Sequence, residues 1–200
     1  MTHAIEGYTS SWANDFCDGL CLKAVELIFK YLPRAYADGN DAEAREKMHN
    51  AAALAGMGFG NSMAALAHSM GHALGGVFHT PHGRAVGLFL PYSIEFIVRD
   101  PISAPTRYGE IARFLGLPAE TEAQGAASLV AAIRDLMRQV EQPLTLQELG
   151  LKREELEANL EKLVDNAELD ACTVTSRRVP TREEMTRLYR YAYEGKTVDF

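Results

Sequence analysis

Three histidines at fixed offsets carry the densest chemistry in this 200-residue chain. The segment reads Ala67-His68-Ser69-Met70-Gly71-His72-Ala73-Leu74-Gly75-Gly76, then Val77-Phe78-His79-Thr80-Pro81-His82-Gly83. On a helix, positions four apart sit ~40° apart around the axis and one turn along it, with Cβ atoms ~5–6 Å apart. His68 and His72 can therefore face one cavity. They are close enough to share a divalent transition metal, or for one to bind it while the other handles a proton. His82, between Pro81 and Gly83, sits in a restricted turn that can aim its ring back at the helix. The surrounding Ala64, Ala65, Ala67, Ser69, Gly71 and Ala73 leave room for a ligand or a second backbone. The pair lacks the glutamate that follows the first histidine in zinc peptidases. His49 and His79 read as ordinary helix or turn residues, with His79 able to support a ligand from behind.

Other motifs weigh less. Gly56-x-Gly58-x-Gly60 follows no strand and has no acidic residue at the distance a dinucleotide fold requires, so it reads as a loop between helices. Cys17 and Cys21 lie four apart without the second pair a zinc site needs, and read as small residues on an apolar helical face. With Cys172 they make three cysteines, an odd, low count that fits a reducing cytoplasm.

These side chains must be positioned by helices, because almost the whole sequence has helical period. The pattern predicts helices over 15–32, stopped by Pro33; over 41–54, with Asn40 and Glu43 as a capping box; and from Asn61 or Ser62 to Gly75-Gly76. The apolar stretch 84–98 reads as central, with Pro91 kinking or splitting it. A loop is expected at Asp100-Pro101, a helix start at Ser103 and Pro105, and a helix through 108–115 to Gly116. Further helices are expected over 121–140, 153–166 and up to Gly195, with capping boxes at Thr145/Glu148 and Thr181/Glu184. No strand, repeat or linker is evident, and the reading is one all-α domain of roughly eight helices.

Composition bounds the function classes. An apolar fraction of 47% and a charged fraction of 24% fit a soluble globular protein with a substantial core. The net charge of −7, with scattered Lys and Arg, argues against nucleic acid or an anionic membrane as partner. No apolar run reaches the roughly 18 residues of a membrane span, and the first residues do not read as a secretory signal.

The run Gly58-Phe59-Gly60-Asn61, then Ala67 to Gly76, Pro81-His82-Gly83 and Leu90-Pro91, resembles the signature of iron-containing alcohol dehydrogenases. Thr2-His3-Ala4-Ile5-Glu6-Gly7-Tyr8 resembles a second motif of that family, and the likeness runs from His3 to about the end of the chain. The resemblance implies an all-α, multi-helix fold like the C-terminal domain of the dehydroquinate synthase-like/iron alcohol dehydrogenase superfamily. It implies that residues 1–200 form a single helical metal-binding domain, with the N-terminal dinucleotide-binding domain absent. The implied activity is NAD(P)-dependent interconversion of a small alcohol and its aldehyde by hydride transfer, with Fe2+, or alternatively Zn2+, as the metal. By the same resemblance His3, His68 and His82 are metal ligands, and His72 is the catalytic neighbour that handles the proton.

The family's fourth ligand is an aspartate four residues before the first histidine, a position that would precede Met1. Glu6 and Asp15 are nearby carboxylates without a reason to replace it; Glu6, one turn from His3, fits a supporting contact instead. The expectation that follows is little or no activity from these 200 residues alone, in a cytoplasmic protein that forms a homo-oligomer or docks a separate N-terminal half. Two alternatives stand beside it: a non-catalytic helical metal-binding or interaction fragment, and a zinc-dependent relative of glycerol dehydrogenase or dehydroquinate synthase.

Overall fold

The most apolar stretch of the chain forms its centre. The computed structural model describes residues 1–100 and 106–200, and among these it contains nine helices and no strand. They are α1 (Thr2–Thr9), α2 (Asp15–Ala37), α3 (Ala42–Phe59), α4 (Leu66–Phe78), α5 (His82–Ile97), α6 (Thr106–Phe114), α7 (Glu122–Gln139), α8 (Arg153–Leu169) and α9 (Arg182–Glu194). The all-α expectation holds, and α1 is the helix beyond the eight expected. The expectations for Pro101, Ser103 and Pro105 lie outside the described residues. No described helix is long and apolar enough to cross a membrane.

Helix α5 is buried along most of its length, through Leu88, Phe89, Leu90, Tyr92, Ile94 and Phe96. Each such side chain contributes roughly 1.5–3 kcal/mol on burial. Phe89 meets Tyr189 of α9 edge-on at 5.4 Å between ring centroids, and the Tyr189 hydroxyl donates to the Met70 carbonyl of α4 at 3.1 Å. Glu95 accepts from Arg134 of α7 at 2.6 Å and from the Val198 amide at 3.1 Å, tying the C-terminal tail to the core.

Burial overrides several local breakers. Helix α5 continues through Pro91 without splitting, and α2 continues past Pro33 to Ala37. A proline inside a helix costs ~3 kcal/mol, so packing must offset it. At α5 the surrounding core does so. At α2, Tyr31 and Arg34 bind Glu43, and Arg34 also binds Asp41, which holds the last turns against the start of α3. The expected loop at Gly56–Gly60 is instead the last turn of α3, which runs to Phe59. A Cβ at Gly58 would lie 2.5 Å from the Cys21 sulfur, so glycine there lets α2 and α3 approach closely. Cys17 and Cys21 are buried and free on α2, as the apolar-face reading requires.

Capping differs in detail. Asp41, not Asn40, caps α3 by accepting from the Ala44 amide. The Thr145 hydroxyl accepts from the Glu148 amide, but the Glu148 carboxylate accepts from the Leu144 amide and not from that of Thr145. The expected capping box is only half made, and no α-helix follows, only turns. The Thr181/Glu184 box opens α9, and Gly195 closes it with φ 72°. Helix α4 runs past Gly75-Gly76 to Phe78 and ends on His79, whose φ of 54° is left-handed.

Candidate metal centre

The two motifs far apart in sequence meet because α1 lies against the start of α4. Ser62 does not cap α4; its hydroxyl donates to the Gly7 carbonyl at 2.8 Å, while Asn61 bonds back to the Met57 carbonyl. The Ser10 hydroxyl in turn donates to the Ser62 carbonyl. The loop before α9 closes over this junction. Thr175 donates to the Ala64 carbonyl, and the Arg177 guanidinium to the Thr9 carbonyl at 2.8 Å.

Helix α4 therefore starts at Ala65, whose own side chain can cap nothing. Its first amides are satisfied from another helix. The Glu6 carboxylate of α1 accepts from the Ala65 amide at 3.0 Å and the Ala67 amide at 2.6 Å. The same carboxylate pairs with Nδ1 of His68. Anionic groups are favoured at a helix N-terminus by its dipole and free N–H groups.

Helix α5 brings the third imidazole. A Cβ at Gly71 would lie 2.6 Å from Val86 Cγ1 and 2.8 Å from the Val86 backbone, so α4 and α5 cross in near-backbone contact there. His82, one turn before Val86, thus comes level with the histidines flanking Gly71. It is the first residue of α5, with Pro81 as N-cap, and not a free turn residue. The fixed entry still aims the ring as the Pro-His-Gly reading required.

The result is a cluster of imidazoles. One ligand atom each from His3, His68 and His82 lies within 4.8 Å of the others. The His3 and His68 rings are 4.4 Å apart, His68 and His82 5.5 Å, and His3 and His82 6.0 Å, centroid to centroid. Phe59 backs His3, its ring stacked at 3.9 Å with an interplanar angle of 8°. His68 is buried, and its Nε2 has no hydrogen-bond partner. Burial, then the neighbouring His68, push the His3 imidazole down to about 3, and burial lowers His82 as well. Three imidazoles thus converge on one point, and the buried Nε2 of His68 among them has no hydrogen-bond partner. That donor set fits a divalent transition metal.

His72 stands beside the three. Its ring stacks against His82 at 5.2 Å, and its Nδ1 donates to the Asp170 carboxylate at 2.8 Å. It is exposed, whereas His68 is buried. Burial would raise the Asp170 carboxyl, but the Cys172 amide, at 2.8 Å, and His72 hold it below its ordinary value. Burial pushes the Cys172 thiol up to about 12, so it stays protonated. His79 is exposed at the end of α4, and Asp15 is exposed at the start of α2; neither joins the cluster.

Sequence spacing located His68, His72 and His82, and the resemblance added His3. It did not single out Asp170 or the Phe59 ring as site residues. Asp170 is 98 positions from His72 and carries no local signal. Glu6 was noticed only for its helical offset from His3; its bond to His68 spans 62 positions.

Known proteins are similar to this chain over nearly its whole length. Residues 1–193 match the model of the Fe-containing alcohol dehydrogenase family, C-terminal. The NADPH-dependent butanol dehydrogenase of Clostridium saccharobutylicum is 36% identical over 200 residues, covering 100% of this chain and 50% of that protein. Alcohol dehydrogenase 4 of Schizosaccharomyces pombe is 38% identical over 192 residues, covering 96% of this chain and 43% of that protein. The solved iron-containing alcohol dehydrogenase of Thermococcus thioreducens superposes with a TM-score of 0.87 at 33% identity, over 98% of this chain and 48% of that one. The chain thus spans about half the length of these relatives.

Proposed function

The chain belongs to the Fe-containing alcohol dehydrogenase family, and from that premise we propose that it is the metal-binding and substrate-cleft part of an NAD(P)-dependent alcohol dehydrogenase. Residues 1–200 act as one helical domain, and the dinucleotide is held by a part of the enzyme outside them. The observation that carries this reading is the convergence of His3, His68 and His82 around the unpartnered, buried Nε2 of His68.

His3, His68 and His82 would hold the metal, Fe2+ or Zn2+. Such an ion supplies Lewis-acid polarisation of an alcohol or aldehyde oxygen. The chain's own residues do the rest. The stacked Phe59 ring and the buried α1–α4 junction fix His3 and His68. His72 carries the proton. With Nδ1–H committed to Asp170, its Nε2 is free to accept the proton an alcohol releases and, being exposed, to pass it to solvent. In the reverse direction the same nitrogen returns a proton to the product oxygen. Its role differs from that of His68 because His68 is buried and His72 is exposed, with its Nδ1 partner Asp170 in the loop after α8.

Zinc or cobalt titration of the purified chain tests the assignment. The expected result is one equivalent bound, lost in His68→Ala and His82→Ala but kept in His72→Ala. Binding that survives His68→Ala and His82→Ala would overturn it.

A further inference from the structure

We infer that Glu6 is a positioning residue that sets the tautomer of His68 and so turns its Nε2 lone pair toward the metal; this rests on the metal-centre reading above. Glu6 is 3% exposed and His68 1% exposed, so neither group has water to choose its partner. An ionised carboxylate only accepts hydrogen bonds. Glu6 meets three nitrogens: the Ala65 amide, the Ala67 amide and His68 Nδ1. The two amides cannot be anything but donors. The imidazole could be either, and the carboxylate decides: Nδ1 must carry the hydrogen. Nε2 is then bare, and it is the buried nitrogen that has no protein partner. The opposite tautomer would put a lone pair against a carboxylate and bury an unsatisfied N–H, an expensive pair of errors at a buried site.

The same carboxylate joins the two ligand-bearing helices. It sits one turn after His3 on α1 and closes the N-terminus of α4, which carries His68. Position of His3, position of His68 and protonation of His68 thus depend on one group. A glutamine cannot replace it. Its single oxygen satisfies the donors on one side only, and its NH2 meets an amide N–H on the other. A carboxylate behind a ligand histidine commonly raises metal affinity 10–100-fold relative to its mutants.

The first test uses the full 200-residue chain, 15N-labelled at histidine, without metal at neutral pH. Long-range proton–nitrogen spectra should show His68 protonated at Nδ1 and bare at Nε2. Protonation at Nε2 would overturn the inference. The second test is Zn2+ affinity by competition. Glu6→Gln should bind roughly 10–100-fold more weakly, and Glu6→Asp, which keeps the charge at shorter reach, should recover part of the loss. Ser62→Ala loosens the same α1–α4 junction without touching His68 and should leave affinity near wild type. Unchanged affinity in Glu6→Gln, or an equal loss in Ser62→Ala, would mean that Glu6 serves only the fold. If Glu6→Gln does not fold, the wild-type tautomer decides. If the wild-type chain binds no Zn2+, the metal-centre reading fails while the nitrogen spectra still decide whether Glu6 dictates the His68 tautomer.

Discussion

His3 shows how a buried imidazole couples the site to folding. Its value falls to about 3 from an ordinary 6.5, chiefly through burial against Phe59 and the other rings. An unfolded chain therefore binds a proton at His3 that the folded chain refuses between those two values. Stability rises with pH wherever the unfolded state binds more protons. The contribution is fully present above about 6.5 and is lost as pH falls toward 3. The melting temperature of the metal-free chain should accordingly drop across this window. His3→Phe, which keeps a ring on Phe59 and cannot titrate, should flatten that slope. An identical slope in the variant would show that His3 is protonated in the folded state. For the proposed metal centre the consequence is direct: an imidazole that stays neutral in weak acid would offer its lone pair without proton competition.

At the scale of elements, the crossing of α4 and α5 sets how far His82 stands from His68 and His72. Gly71→Ala would drive a methyl group into the Val86 backbone, which cannot rotate away as a side-chain end could. Overpacking of this kind costs about 1–3 kcal/mol. For a chain of this size that corresponds to a fall of roughly 2–12 °C in Tm. The helices must separate, so Zn2+ affinity should fall with it. Gly83→Ala, beside His82 but with open space around its Cβ, should change neither. Equal effects in the two variants would detach the crossing from the site. This contact also marks where the sequence is legible. His68, His72 and their helix follow from the helical period, and the Thr181/Glu184 cap follows from local chemistry. Pro33 and Gly56 mislead because their cost is local while the burial that outweighs it comes from other helices. Ser62 misleads for the opposite reason: the cap of α4 is supplied by Glu6, 59 positions away from the Ala65 amide, and no nearest-neighbour rule contains it.

At the scale of the whole molecule, the proposed function makes the site one wall of a cleft, and the proposed hydride chemistry needs a second wall. Among the described residues there is no strand, and so no strand-to-helix glycine turn of the kind that cradles a dinucleotide pyrophosphate. The exposed His72 lies at the surface of the cluster, and Leu169, which lines the same shallow depression, is 87% exposed. The proposed chemistry requires a nicotinamide held against the metal and water kept out, and proximity of that kind is worth several powers of ten in rate. The metal-loaded 200-residue chain should therefore bind its ion yet give no rise in NADH or NADPH absorbance with NAD+ or NADP+ and a primary alcohol. Supplying the nucleotide-binding half of a relative, fused ahead of His3 in the family's register, should restore the rise, and His72→Ala in that fusion should then lower turnover without releasing the metal. A robust rise from the 200 residues alone would show that these helices hold the dinucleotide themselves, and the division of labour proposed for the two halves would be wrong.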